Sequence, residues 1–181
     1  MSFKPHPNGG GLVEDTAYVA ETAYVGKNAV VSGTAFVGDH AKVDDYAHVS
    51  GNARIVGYGR VFGNARVSGD AQVSSNGVVK GSAELYGHGQ VSGNAELSDN
   101  AKVHENAVIS NYAIVCGSAK VYGDAQVYEG AMISGNSSVG GNARVLGHAK
   151  VSGDSRVSGT ALVTGYSIVA DGSVLFGKFG S

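Results

Sequence analysis

The side chains best suited to chemistry fall between residues 70 and 124, and they recur at one interval. Tyr86, His104 and Tyr122 are 18 residues apart, as are Asp70, His88, Asn106 and Asp124, and Lys102 and Lys120. Aromatic faces beside imidazole, ammonium and carboxylate groups suit a sugar, a nucleotide or another anionic ligand. His104 or His88 would serve as a general base if a carboxylate oriented it. The ligand-binding candidates are therefore Tyr86, His88, Lys102, His104, Lys120, Tyr122 and Asp124, with His104 and His88 as the catalytic candidates. The same residues also make a solvated surface ladder, because Tyr and His favour strand positions and cross-strand stacking.

Other groups are weighed in the same way. Cys116 is the single cysteine, which excludes an internal disulfide framework and a cysteine-based zinc site and fits a reducing compartment. A nucleophilic role would need a base beside it, and none stands 18 residues away. His40, His48, His88, His104 and His148 lack the spacing of three convergent zinc donors, so no metal is expected. Tyr112, Ile114, Tyr128, Met132 and Leu146, with Val78, Cys116, Leu162 and Ile168 nearby, form an apolar set that reads as an oligomer interface. A scatter of tolerated surface apolar groups is the alternative. Arg54, Arg60 and Arg66, and again Arg144, Lys150 and Arg156, step by six. They form rings of charge and not the stripe a nucleic-acid groove would need.

All of these positions are set by a period of six. From Val13 to Leu175 every sixth residue is Val, Ile or Leu, 28 positions in all, and the residue two before each is Ala, Gly or Ser. Residues two apart share one side of a strand, so the small and the branched residue point inward together while their neighbours point out. Pairs such as Gly51-Asn52, Gly69-Asp70 and Gly123-Asp124 supply the positive φ of sharp corners. With 29 Gly, no Trp, 2 Pro and 15% charged residues the chain is neither a helical bundle nor disordered. A net charge of −2 gives no bulk attraction for nucleic acid or membrane. No apolar run is long enough for a membrane span, and the opening residues do not read as a signal peptide.

This pattern resembles the hexapeptide-repeat superfamily, over residues 9 to 176. The resemblance implies an all-β, single-stranded left-handed parallel β-helix, a triangular prism of about nine 18-residue coils. Residues 1–10 are then a cap segment, 11–176 the β-helix and 177–181 a tail. At ~4.8 Å per coil the prism is roughly 43 Å long. Asn28, Asn64, Asn100 and Asn136 are expected to build corner amide ladders. Pro5 and Pro7 should blunt the first end, and Phe176 and Phe179 should cover the last coil.

Relatives in this superfamily are widely acyltransferases, usually trimeric with clefts between subunits. Two departures bear on that activity. No loop interrupts the repeat, and glycine falls two residues after the branched position, as in Val67-Ser68-Gly69, where the transferase motif favours one. Gly-Asn-Ala-Arg-Val at 63–67 and 141–145 looks more like the motif of bacterial and phage proteins that carry a transferase-like label. The leading expectation is a non-catalytic, rigid structural or binding module, homotrimeric, phage-encoded, and cytoplasmic or a virion component. The alternatives are an acyl-CoA-dependent acyltransferase and a protein that sequesters a small anion in intersubunit clefts. A carbohydrate is the other ligand class considered, and no cofactor is expected outside the acyl-CoA alternative.

Overall fold

A computed structural model describes residues 2–177, and within them the ordered elements are all strands. A first strand, β1 (Phe3–Pro5), runs antiparallel to β2 (Leu12–Glu14), an isolated antiparallel bridge joins Gly10 to Gly26, and all later strand-to-strand pairings are parallel. Beyond β2 each hexad gives one two-residue strand, and each strand pairs with the one 18 residues further on. The chain thus winds a β-solenoid of about nine turns with three flat faces, holding 11, 9 and 9 strands. The first face begins at Leu12, the second at Tyr18 and the third at Tyr24.

The hexad explains the coil. The Ala and the Val, Ile or Leu two residues later point inward, and from Ala23 to Val163 both kinds are fully buried. Val103 lies in register with Leu85 and Val121, as the 18-residue spacing requires. The outward residue, the residue after the branched one and the second corner residue each donate their N–H to the next coil. Lys102 N to Ala119 O at 2.9 Å, His104 N to Val121 O at 3.1 Å and Asn106 N to Gly123 O at 2.9 Å are one such set. Polar backbone is thereby satisfied between coils while the interior stays dry and aliphatic.

From residue 33 onward each corner places its first residue at positive φ. Glycines there have φ of 63–74°, whereas the non-glycine corners, Asp39, Asp45, Ser75, Asp99, Glu105, Asn111, Glu129 and Asp171, lie at 54–60°. A Cβ restricts these residues to the narrow left-handed basin. Five acidic corners gain a compensating bond that the sequence reading did not foresee. The carboxylates of Asp39, Asp45, Asp99, Glu105 and Glu129 accept the backbone N–H of Gly57, Gly63, Gly117, Gly123 and Gly147, one coil on, at 2.7–3.0 Å. Charge-assisted bonds of this kind are among the stronger ones.

The expected asparagine ladder is displaced. Asn28, Asn64, Asn100 and Asn136 are two coils apart, and Tyr46, Ser82 and Ser118 stand between them. Amide rungs form instead from Asn52 to Asp70, Asn76 to Asn94, Asn106 to Asp124 and Asn136 to Asp154, at 2.9–3.1 Å. Of the four expected asparagines only Asn136 contributes one.

The ends differ from one another. β1 covers the edge of the first face, and Asn8 reaches the third, where its carbonyl accepts Val25 N–H at 3.0 Å and its side chain donates to Ala23 O at 2.8 Å. Pro5 lies in β1, the outermost strand, and has no N–H to offer a further strand. At the other end Phe176 is 65% exposed, so it does not cover the last coil as expected, and Phe179 lies outside the described residues. Phe176 follows the last inward residue, Leu175, and the period sends its ring outward.

Near this end Ala gives way to Ser at the inward positions 137, 155, 167 and 173. Ser137 Oγ donates to Ser134 O at 2.7 Å, but the buried Ser155 Oγ has no partner. Ser155→Ala is therefore expected to be neutral to stabilising by about 1 kcal/mol, since it removes an unpaired buried hydroxyl. Ser137→Ala should cost about 1 kcal/mol because it deletes a made bond. Thermal melts of the two variants read the difference.

Candidate functional site

The first face gathers most of the sequence-predicted ligand residues. Tyr86, His104 and Tyr122 follow inward residues of that face on successive coils, and their rings stack. The Tyr86–His104 centroids are 4.8 Å apart at 8°, and the His104–Tyr122 centroids 5.6 Å apart at 10°. The stack ends on Gly140, where an added Cβ would lie 2.4 Å from the Tyr122 ring. Only a residue without a side chain leaves that ring room to lie down.

The two histidines sit differently. His104 is sandwiched, and its Nδ1 is 3.6 Å from Glu105 Oε1, while Glu105 Oε2 is held by Gly123 N–H at 2.7 Å. The carboxylate is thus fixed close to the ring edge. His88 stands on the corner between the first and second faces, exposed, with Nδ1 3.8 Å from Asp70. Both separations are longer than a hydrogen bond.

Other candidates are engaged with neighbours. Lys102 Nζ donates to Glu84 at 2.9 Å, and that hydrogen bond, followed by the carboxylate's charge, raises the Lys102 pKa. Asp124 accepts the Asn106 amide at 2.9 Å on the corner. Lys120, by contrast, makes no ion pair among the described residues.

An unexpected groove lies at Lys120. His104, Glu105, Lys120, Tyr122, Asn136, Ser138 and Arg156 line a depression of about 470 Å³. Lys120, Ser138 and Arg156 are register partners on three successive coils, so a short hydroxyl side chain lies between two long cations. Arg156 also makes no ion pair among the described residues. A hydroxyl floor with a cation above and below suits a phosphate, sulfate or carboxylate group. Asn136 and Ser138 were missed as ligand groups and Arg156 was read only within a ring of charge, although the 18-residue step from Lys120 leads straight to Ser138 and Arg156. A second depression, about 300 Å³, is lined by Arg66, Ser68, Glu84 and Tyr86.

The rings of charge fall as expected on three faces, but some are tied to aromatic neighbours. Arg54 lies over Phe36 at 4.7 Å and Arg60 over Phe62 at 5.1 Å.

The apolar set flanks the corner between the second and third faces. Ile114 and Met132 are register partners on the third face, and Tyr112 is on the corner itself. Tyr128 and Leu146 end neighbouring strands of the second face. Tyr128 is in part a polar group, because Arg144 donates to its hydroxyl and lies over its ring at 5.5 Å. The wider set is broken up: Glu96 separates Val78 from Ile114, and Lys150 separates Ile168 from Met132. Burial pushes the Cys116 thiol up, with Asp99 and Glu96 adding to the effect, which makes it a weak nucleophile. Among the described residues no group of three or more His, Cys, Asp or Glu side chains is placed to hold a metal ion.

Comparison with known families adds one finding. Residues 60–75 match a family described as the YdcK beta solenoid repeat, in agreement with the winding described above. The match covers less than one coil and supports a β-solenoid repeat protein. No curated protein matches the chain.

Proposed function

We propose that this chain is a non-catalytic, rigid β-solenoid module, assembled as a homotrimer, that holds a small anionic ligand on its first face. The observation that carries this reading is the Lys120–Ser138–Arg156 register, in which two cations with no ion pair among the described residues bracket one hydroxyl. The edge of the Tyr122 ring, whose faces lie against His104 and Gly140, borders the same groove and offers an apolar wall to the rest of the ligand. A sugar phosphate has both parts. The uninterrupted coil favours binding without turnover, because the surface is fixed by backbone bonds on both sides and offers no loop to close over a reaction. The strip of Ile114 and Met132 on the third face, clear of the corner at Tyr112, is the surface proposed for trimer contacts.

Glu105 beside His104 favours a second reading, an acyl transfer with His104 as base. Isothermal titration at low salt with glucose 6-phosphate, alongside an acetyl-CoA turnover assay, separates the two. Binding should weaken at least tenfold in Lys120→Glu and in Arg156→Glu, with no coenzyme A released. Release of coenzyme A that His104→Ala abolishes would establish the second reading. Equal binding by wild type and both variants would remove the first.

A further inference from the structure

Wherever aromatic residues occupy the same site on successive coils, their rings stack. On the corner between the second and third faces His40 stacks on Tyr58 at 5.4 Å, and His148 stacks on Tyr166 at 5.2 Å. This corner column continues through Tyr112, Gly130 and His148, so Gly130 supplies no ring between two that are present. Tyr112 is 68% exposed and stacks on no other ring among the described residues. Asn111, Tyr112, Glu129, Gly130, Gly147 and His148 line a depression of about 460 Å³.

We propose that this slot binds a flat heteroaromatic ring of nucleobase size, stacked between Tyr112 and His148 over Gly130. Two coils separate the backbones of the flanking residues by roughly 9–10 Å at ~4.8 Å each, while a ring sandwiched at normal contact needs about 7 Å. His148 takes up part of the difference by leaning across Gly130, where an added Cβ would stand 2.7 Å from its Nδ1. The polar edge is supplied by Glu129 and Asn111. Gly147 N–H, 2.7 Å from Glu129 Oε2, fixes that carboxylate at the rim, and Oε1 remains to accept an N–H from the ring. A base with an exposed amino group meets both requirements, whereas a sugar ring has no flat face to fill the gap. The slot lies on the corner between the second and third faces, away from the first-face Lys120 groove, and binds without its cations.

The test uses adenosine, which has no charge and so does not engage that groove. Titration into isotope-labelled protein should give saturable shifts at Tyr112, Gly130 and Gly147. Gly130→Val puts a side chain in the slot, at a backbone φ that is not left-handed, and should weaken binding at least tenfold with an unchanged circular-dichroism spectrum. Tyr112→Ala, at an exposed ring, should weaken it similarly and keeps the test valid if the valine variant fails to fold. Lys120→Glu should bind adenosine as wild type does. Lack of saturable binding by wild type, equal binding by Tyr112→Ala, or tighter binding of glucose than of adenosine would overturn the proposal.

Discussion

Val103→Asp is expected to break the coil that carries the candidate site, lowering stability by more than about 4 kcal/mol, while Lys102→Gln leaves the thermal melt nearly unchanged. Val103 is fully buried and in register with Leu85 and Val121, so a carboxylate there would meet only aliphatic groups. In a solenoid each coil is stabilised by its two neighbours, so the loss affects both adjoining interfaces. Lys102 points outward one residue earlier. Its ion pair with Glu84 is exposed, and such pairs add little to stability. Urea or thermal unfolding of the two variants gives the comparison, and equal tolerance would mean that the inward phase is misassigned.

Gly123→Val is the second large effect expected, at about 3 kcal/mol or more. Gly123 has φ of 70°, and an added Cβ would lie 2.8 Å from the backbone N and O of Gly141 on the next coil. A β-branched residue is poorly compatible with both the left-handed φ and this approach. Gly123→Asp is the control, because Asp99 and Asp45 hold equivalent corners at 60° and 54°. Its Cβ meets the same approach, but Asp tolerates the left-handed basin, so it should cost about 1–2 kcal/mol, less than the valine. Both variants fold the same corner, and Gly123 N–H holds Glu105, so a drop in ligand binding by the valine variant alone would follow the corner's displacement.

The repeat made the fold legible because one spacing sets strand phase, inward side and coil length together. Val103, Leu85 and Val121 could be stacked before any coordinates. So could the Tyr86, His104 and Tyr122 column. What the period does not carry is side-chain reach. Lys102 and Lys120 are equivalent by spacing, yet Lys102 pairs with Glu84 while the residue opposite Lys120 on its far side is Ser138, too short to answer a cation. The groove depends on that single short residue between two long ones. The acidic corners were opaque for a related reason, since their role is a bond to a backbone N–H that composition does not display. The expected Asn ladder does not form because its members are 36 residues, two coils, apart, and Tyr46, Ser82 and Ser118 occupy the coils between.

Native mass spectrometry of the chain purified at low salt with glucose 6-phosphate tests the proposed binding function most directly. The expected spectrum is a species of three chains with one non-covalent sugar phosphate per chain, lost in Arg156→Glu without loss of the folded charge-state distribution. A bare mass for wild type under the same conditions, indistinguishable from that of Arg156→Glu, would contradict it.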